Sequence, residues 1–259
     1  MSAATLPVRS GVDKGARPRK SSRSRSGCLA VITARGGSKE LPRKNLLSLA
    51  GKALIAYTIE AGQRASGIDR LIVSTDDEEI ATVAKGCGVD VPFLRPSVLA
   101  SDETAIYPVL AHAVQWLQQH ECWLAAHVLL LQPTSPLRTA DDIEAALRLF
   151  HQRQADGVVS VTPMVHHPAF AKRIDRDGRL SSDRVTKPIH RRQEAPPLYV
   201  PNGAIYVGKT KMVIEHHTFY TNRTYAYVMP PERSLDIDTA WDFHLAELVL
   251  EERVRHGRR

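Results

Sequence analysis

The sequence predicts an α/β fold built on a mostly parallel sheet, and three observations carry that expectation. Short apolar runs rich in β-branched residues alternate with helical patterns along most of the chain. The runs are continuous rather than alternating, so they read as strands buried on both faces. Polar and glycine-bearing clusters recur at the predicted strand ends, where open α/β sheets bind ligands.

Taken in order, the body starts at Cys28, and Leu29 to Thr33 is the first strand. A loop rich in Gly, Ser, Lys and Pro runs from Ala34 to Asn45, followed by a helical pattern from Leu54 to Ser66. Leu71 to Thr75 is the second strand. Asp76, Asp77, Glu78 and Glu79 follow it and place acids in the first turn of a helix reaching Lys85, where the helix dipole favours them. Val89 to Leu94 reads as a third strand, Tyr107 to His120 as a helix, and His127 to Leu131 as a fourth strand ending in the Gln132–Pro136 loop. Ala140 to Gln152 is helical and Val158 to Val161 is the fifth strand.

The pattern changes after Pro163. Residues 163–200 hold many Pro, His and Arg and a hairpin-like piece, Ile174 to Leu180, with its turn at Asp177-Gly178; they are expected to form a small β-rich insertion. The parallel pattern resumes at Ala204 to Val207 and Tyr225 to Met229. Ser234 to Asp238 and an amphipathic helix from Ala240 to Val254 close the chain.

Charge is distributed unevenly. The 259 residues hold 35 Lys and Arg against 28 Asp and Glu, a net +7, but residues 1–27 contain seven basic residues and one acid. The body, residues 28–259, is therefore nearly neutral, and the excess describes a tail expected to be disordered and solvated. Three well-separated cysteines without a CxxC give no disulfide framework or zinc site and fit a reducing cytoplasm. No apolar run reaches the ~18–20 residues of a membrane span, and the basic N-terminus lacks the apolar region of a secretory signal.

Two clusters carry the chemistry best. Arg35, Gly36, Gly37, Ser38, Lys39, Arg43 and Lys44 combine glycines, which let a backbone approach a ligand, with four cations. A triphosphate suits that loop, although it is neither a Walker P-loop nor a dinucleotide fingerprint; the plainer reading is a basic surface loop. Asp236 and Asp238 lie two apart, so on a strand they share a face and form a hard-oxygen pair suited to Mg²⁺. Capping explains Thr239 and Asp242 well but explains two like charges on one face poorly. Weaker clusters are Arg95 to Asp102, a candidate base-recognition loop including Ser101; Gln132 to Arg138, suited to a polyol; and Arg191-Arg192, suited to a carboxylate. The adjacent His166-His167 point to opposite sides of an extended chain and make a poor metal pair.

Read together, ITARGGSK, PRKN, STDDEEIA, LASD, LLQPTSPLR, HHP, RRQ, PNGAIYV and SLDIDT occur in an order that resembles the acylneuraminate cytidylyltransferases, the CMP-sialic acid synthetases, from about Leu29 to Leu250. The resemblance implies a Rossmann-like nucleotidyltransferase fold (GT-A-like), with the insertion serving dimerisation and the partner site. It implies that Arg35, Lys39 and Lys44 hold the CTP phosphates and that Asn45 and Arg95 help read cytosine and ribose. Gln132, Arg192, Asn202 and Tyr206 would hold the sugar acid, and Asp236 and Asp238 would bind Mg²⁺. Arg35, Lys44 and Asp238 are then the expected catalytic residues of CMP transfer from CTP to a sialic-acid-like nonulosonate by a cytoplasmic homodimer or tetramer. Legionaminate, pseudaminate and 3-deoxy-octulosonate are the alternative sugars. Two departures from the family pattern fall on the sugar side: Val200-Pro201 precede Asn202, and Lys172 stands displaced after HHP. The rival from another class, a non-catalytic nucleic-acid binder using the basic tail, predicts salt-sensitive binding lost with residues 1–27.

Overall fold

The computed structural model describes residues 25–38, 40–101, 103–182, 191, 193 and 195–256. The expected tail up to residue 24, Lys39, Asp102 and Arg192 lie outside the described residues.

A six-stranded sheet forms the centre. Its strands are β1 (Arg25–Thr33), β4 (Arg70–Ser74), β5 (Trp123–Leu131), β6 (Gly157–Pro163), β9 (Tyr199–Lys209) and β10 (Thr224–Val228), in the order β10-β6-β9-β5-β1-β4. The short β2 (Ser48–Leu49) and β3 (Lys52–Ala53) pair with each other, as do β7 (Lys172–Ile174) and β8 (Leu180–Ser182) of the insertion. β1 begins inside the expected tail, because Arg25 to Gly27 pair with Trp123 to Ala125 before a register shift at Gly27/Cys28.

Alternation along β1 explains the layering. Leu29 and Val31 join one fully buried cluster, packed with Leu110 and Leu117 of α3 (Ile106–Glu121) and Val213 of α5 (Thr210–Glu215). Ala30 and Ile32 join the other, with Ile55 and Ile59 of α1 (Leu54–Arg64), Ile80 of α2 (Glu78–Gly86) and Ile143 and Phe150 of α4 (Ala140–Gln152). Helices thus cover both faces, as strands without polar positions require.

Three expectations are corrected. Residues 89–94 form no strand; only the bridges Ile72↔Asp90 and Thr75↔Leu94 remain beside β4. β9 runs antiparallel to both neighbours, β5 and β6, because hydrophobic content marks burial and carries no direction. Ser234 to Asp238 takes no regular secondary structure and joins no sheet. Its alternation survives all the same. Ile237 is fully buried with Leu49, Leu54 and Ala246 of α6 (Ala240–Arg255), and this plug fixes the segment between two acids.

Candidate functional site

The carboxyl ends of β1, β4 and β5 open into a cleft of about 470 Å³. Arg35, Gly37, Ser38, Lys44 and Asn45 line one side, Arg95 and Ser101 a second, and Gln132, Asp236 and Asp238 the third. Sequence positions as far apart as Arg35 and Asp238 therefore meet in one place. A larger hollow of about 850 Å³ lies beside α6, but Arg233, Arg253, Arg255, Glu232, Glu251 and Glu252 mix both charges there and concentrate neither sign.

The first loop is held from within. The Ala34 amide donates to the Ser74 carbonyl (3.1 Å), so the loop leaves β1 still joined to β4. Asn45 lines the cleft, while its side-chain amide donates to the Arg35 carbonyl (3.0 Å) and closes the loop on itself. Arg43 takes a left-handed conformation (φ 58°) and pairs with Asp77 and Glu79. That turn directs the next side chain, Lys44, across the cleft. Its ammonium donates to the Ile237 carbonyl (2.7 Å) and to Asp238 Oδ1 (3.3 Å).

The acid segment is pinned as firmly. The Ile237 amide donates to the Thr134 carbonyl (2.8 Å), tying it to the loop after β5. With Ile237 buried, Asp236 turns inward and Asp238 stays exposed at the mouth. Burial pushes the Asp236 carboxyl up, and the Asp238 charge adds to this against the Thr134 hydroxyl and Lys44. Asp236 Oδ1 is buried without a protein hydrogen-bond partner. A carboxylate oxygen so placed is costly unless a cation or donor meets it. The donor set fits Mg²⁺, which is held by one or two carboxylates together with substrate phosphates. Among the described residues no group of three or more metal-ligating side chains exists, so the two aspartates would share the ion with a substrate.

Arg95 is nearly sealed in, with its Nε unpartnered within the protein. Burial pushes its guanidinium down and Arg35 adds to this, while Asp76 opposes it. Ser101 meets the Thr104 hydroxyl (2.7 Å) on the same wall.

Other expected residues stand elsewhere. Asn202 is buried behind the cleft: its Oδ1 accepts from Ser160 Oγ (2.6 Å) and the Ala204 amide, and its Nδ2 donates to Ser234 Oγ (2.9 Å). Tyr206 is not on the cleft wall either. It packs on Phe219, and burial first, then Tyr220 and Asp236, push its hydroxyl up to about 12. Sequence reasoning missed Gly203, whose φ of +75° and absent side chain let Asp236, Gln132 and Ser135 converge; a Cβ would lie 3.0 to 3.3 Å from all three. It also missed the cleft-lining Thr104 and the bracing role of Asp76, whereas Thr134 falls in the Gln132–Arg138 loop expected to bind a polyol.

A family model described as cytidylyltransferase matches residues 29–255. A CMP-N,N'-diacetyllegionaminic acid synthase of Legionella pneumophila is 38% identical over 224 residues, covering 86% of this chain and 96% of that protein. An N-acylneuraminate cytidylyltransferase of Streptococcus agalactiae is 35% identical over 217 residues, 83% of this chain but 51% of that protein, so the chain spans about half the length of that relative. Among solved structures, a CMP:2-keto-3-deoxy-manno-octonic acid synthetase complexed with CTP superposes with a TM-score of 0.66 at 17% identity, covering 88% of this chain and 99% of the other. That likeness shows the shared fold.

Proposed function

The chain belongs to the cytidylyltransferase family, and from that premise we propose that it transfers CMP from CTP to the anomeric hydroxyl of a sialic-acid-like nonulosonate and releases pyrophosphate. One observation carries the reading: a cationic glycine loop and a carboxylate pair face each other across one cleft, with Lys44 reaching from the first to the second. The relatives named for N,N'-diacetyllegionaminate and N-acylneuraminate support the nonulosonate class. The test offers CTP with N-acetylneuraminate, N,N'-diacetyllegionaminate, pseudaminate and 3-deoxy-octulosonate and follows pyrophosphate. Turnover is expected with a nine-carbon acid, and silence with every sugar would overturn the reading.

Phosphoryl transfer of this kind asks a protein mainly for positioning and charge stabilisation. The anomeric oxygen bonds to the α-phosphorus, and the bond to the β-phosphate breaks. Arg35 and Lys44 neutralise charge on the α-phosphate and leaving group, and loop amides at Gly37 and Ser38 receive phosphate oxygens. Arg95, held at the inner wall, is the base-side contact. Gln132 is the sugar-side contact, with Arg192 expected to meet the sugar carboxylate. Asn202, whose amide is engaged internally, serves by shaping the wall behind the sugar. Asp236 and Asp238 would hold Mg²⁺, which supplies charge neutralisation and lowers the pKa of the attacking hydroxyl. Chelation is expected to abolish turnover, and Mg²⁺ to restore it.

The same proposal includes a homodimer. The β7–β8 hairpin exposes Ile174 and Leu180, and Val165, Tyr199 and Val200 are exposed around it. An isolated two-stranded hairpin is marginal in water, and a second copy packed on this face would bury it; sedimentation gives the state. A reducing cytoplasm suits the three cysteines, all free thiols. No helix among the described residues is long and apolar enough to cross a membrane.

A further inference from the structure

We propose that Asp76 is a positioning residue that couples the nucleobase side of the cleft to its phosphate loop. The inference rests on the reading of CTP as the nucleotide. Asp76 does not line the cleft, so its effect on a ligand must pass through the groups it holds. One oxygen, Oδ1, accepts from two of them: the Gly36 amide of the loop (3.3 Å) and the Arg95 guanidinium Nη2 (3.0 Å).

The surroundings make this bond consequential. Among the described residues, Asp76 is the acid paired with Arg95, whose side chain is only 4% exposed. The same Nη2 reaches the Ala34 carbonyl at 3.5 Å, and the Arg95 amide donates to the Thr75 carbonyl (2.7 Å). A guanidinium is a planar fork, so fixing Nη2 also fixes where its other edge points. Beside Nη2 on that fork is the buried Nε, which has no partner in the protein.

Charge supplies the second reason. Arg35 and Arg95 line one cleft, and each like charge disfavours the other. Asp76 is the counter-charge that lets Arg95 stay sealed beside a cationic loop. Its neighbour Asp77 does a different task, capping α2 through the Glu79 and Ile80 amides (both 2.9 Å). Gly36 permits the close fit, because a Cβ there would come within 2.6 Å of Asp77 Oδ2. Two successive acids thus divide into a helix cap and a cleft brace.

A double-mutant cycle on the full chain tests the coupling. Asp76→Ala, Asp76→Asn, Arg95→Ala and the combined variants are compared by KM for CTP, KM for the sugar acid, melting temperature and calorimetric CTP binding. Asp76→Ala is expected to weaken CTP about tenfold, the size of one lost hydrogen bond to a charged group. It should leave the KM for the sugar acid within about twofold, and Asp76→Asn, which keeps an acceptor oxygen, should recover part of the loss. In the Arg95→Ala background the same change should cost less than about threefold, because the two residues act as one unit. The proposal is overturned if the tenfold loss persists in that background. It also fails if the sugar KM rises and the melting temperature falls in step with the loss of CTP affinity. Should Asp76→Ala fail to fold, the Asn cycle decides alone. A wild-type chain that turns over no sugar would defeat the functional reading, and CTP calorimetry would still score Asp76.

Discussion

Thr139–Asp142 and Thr239–Asp242 fold into the same capping box, with the threonine hydroxyl accepting from the third helical amide and the aspartate accepting back from the threonine amide. Around that shared core the two differ. Asp142 is buried, and its oxygens also accept from Tyr227 Oη (2.9 Å) and from Arg233 Nε and Nη2 (3.0 and 2.9 Å). Asp242 follows the cleft-lining Asp238, whose amide supplies its extra bond (3.2 Å). One box knits α4 to β10 and the turn before the acid segment. The other ends that segment. The lesson is that a capping signal specifies a helix start, while the long-range partners of the cap decide whether it serves stability or a site.

The widest separation should appear on comparing Asp236→Ala with Asp142→Ala. Asp236 is half-buried with one buried, unpartnered oxygen, so its removal should cost ~100-fold or more in turnover, the size of one strong transition-state contact. Melting temperature should hold or rise, since an unpartnered buried carboxylate oxygen disappears. Asp142→Ala should invert this pattern. Breaking a fully buried ion pair costs about 3–5 kcal/mol; Arg233 is 32% exposed and can rehydrate, so ~2 kcal/mol is the better expectation. That is roughly 4–8 °C in melting temperature for a domain of this size, with turnover at low temperature within a few-fold. A large turnover loss in Asp142→Ala with stability intact would erase the contrast.

Asp242→Ala sits between them. Loss of the reciprocal half of the capping box should cost up to ~1 kcal/mol, and freeing the Asp238 amide should slow turnover by about threefold to tenfold through misplacement of a carboxylate. Parallel measurement of melting and turnover separates the two parts. Thr239→Ser, which keeps the cap, should leave both nearly unchanged.

How far the sequence reached follows the same division between local and distant. The Thr239–Asp242 cap, the α4 boundaries and most of the buried strands were legible, because each is a statement about neighbours within a few residues. The alternation Asp236-Ile237-Asp238 was legible too, although it is maintained by the burial of Ile237 in place of a strand ladder. The direction of β9 was not, since a doubly buried strand looks alike either way. Asn202 carried no local sign that Ser160 and Ser234, 42 and 32 residues away, would occupy its amide. Asp76 stood in view at a strand end, yet its bond to Gly36 spans 40 residues. The cluster of candidate residues was readable, whereas the bracing behind it had to come from the fold.

The smallest expected effect is also the one that isolates Asp142 most cleanly. Burial raises its carboxyl pKa, but hydrogen bonds from Arg233, from the Thr139 amide and hydroxyl and from Tyr227 outweigh burial, so the folded value lies below the ordinary one. A group depressed in this way binds protons more readily when unfolded. Its contribution is therefore complete above the unfolded value of about 3.9 and is lost as pH falls through the folded value. Between about pH 5 and pH 2 the wild-type melting temperature should drop more steeply than that of Asp142→Asn, which cannot titrate there. Asp242 is lowered as well, by the Thr239 amide and hydroxyl against burial, so Asp242→Asn is the matched control. Its exposed cap is screened by water and salt, and its acid-limb slope should change less than that of Asp142→Asn. Equal slopes in the two variants would mean that burial and Arg233 add nothing to the first box beyond what the cap alone provides in the second.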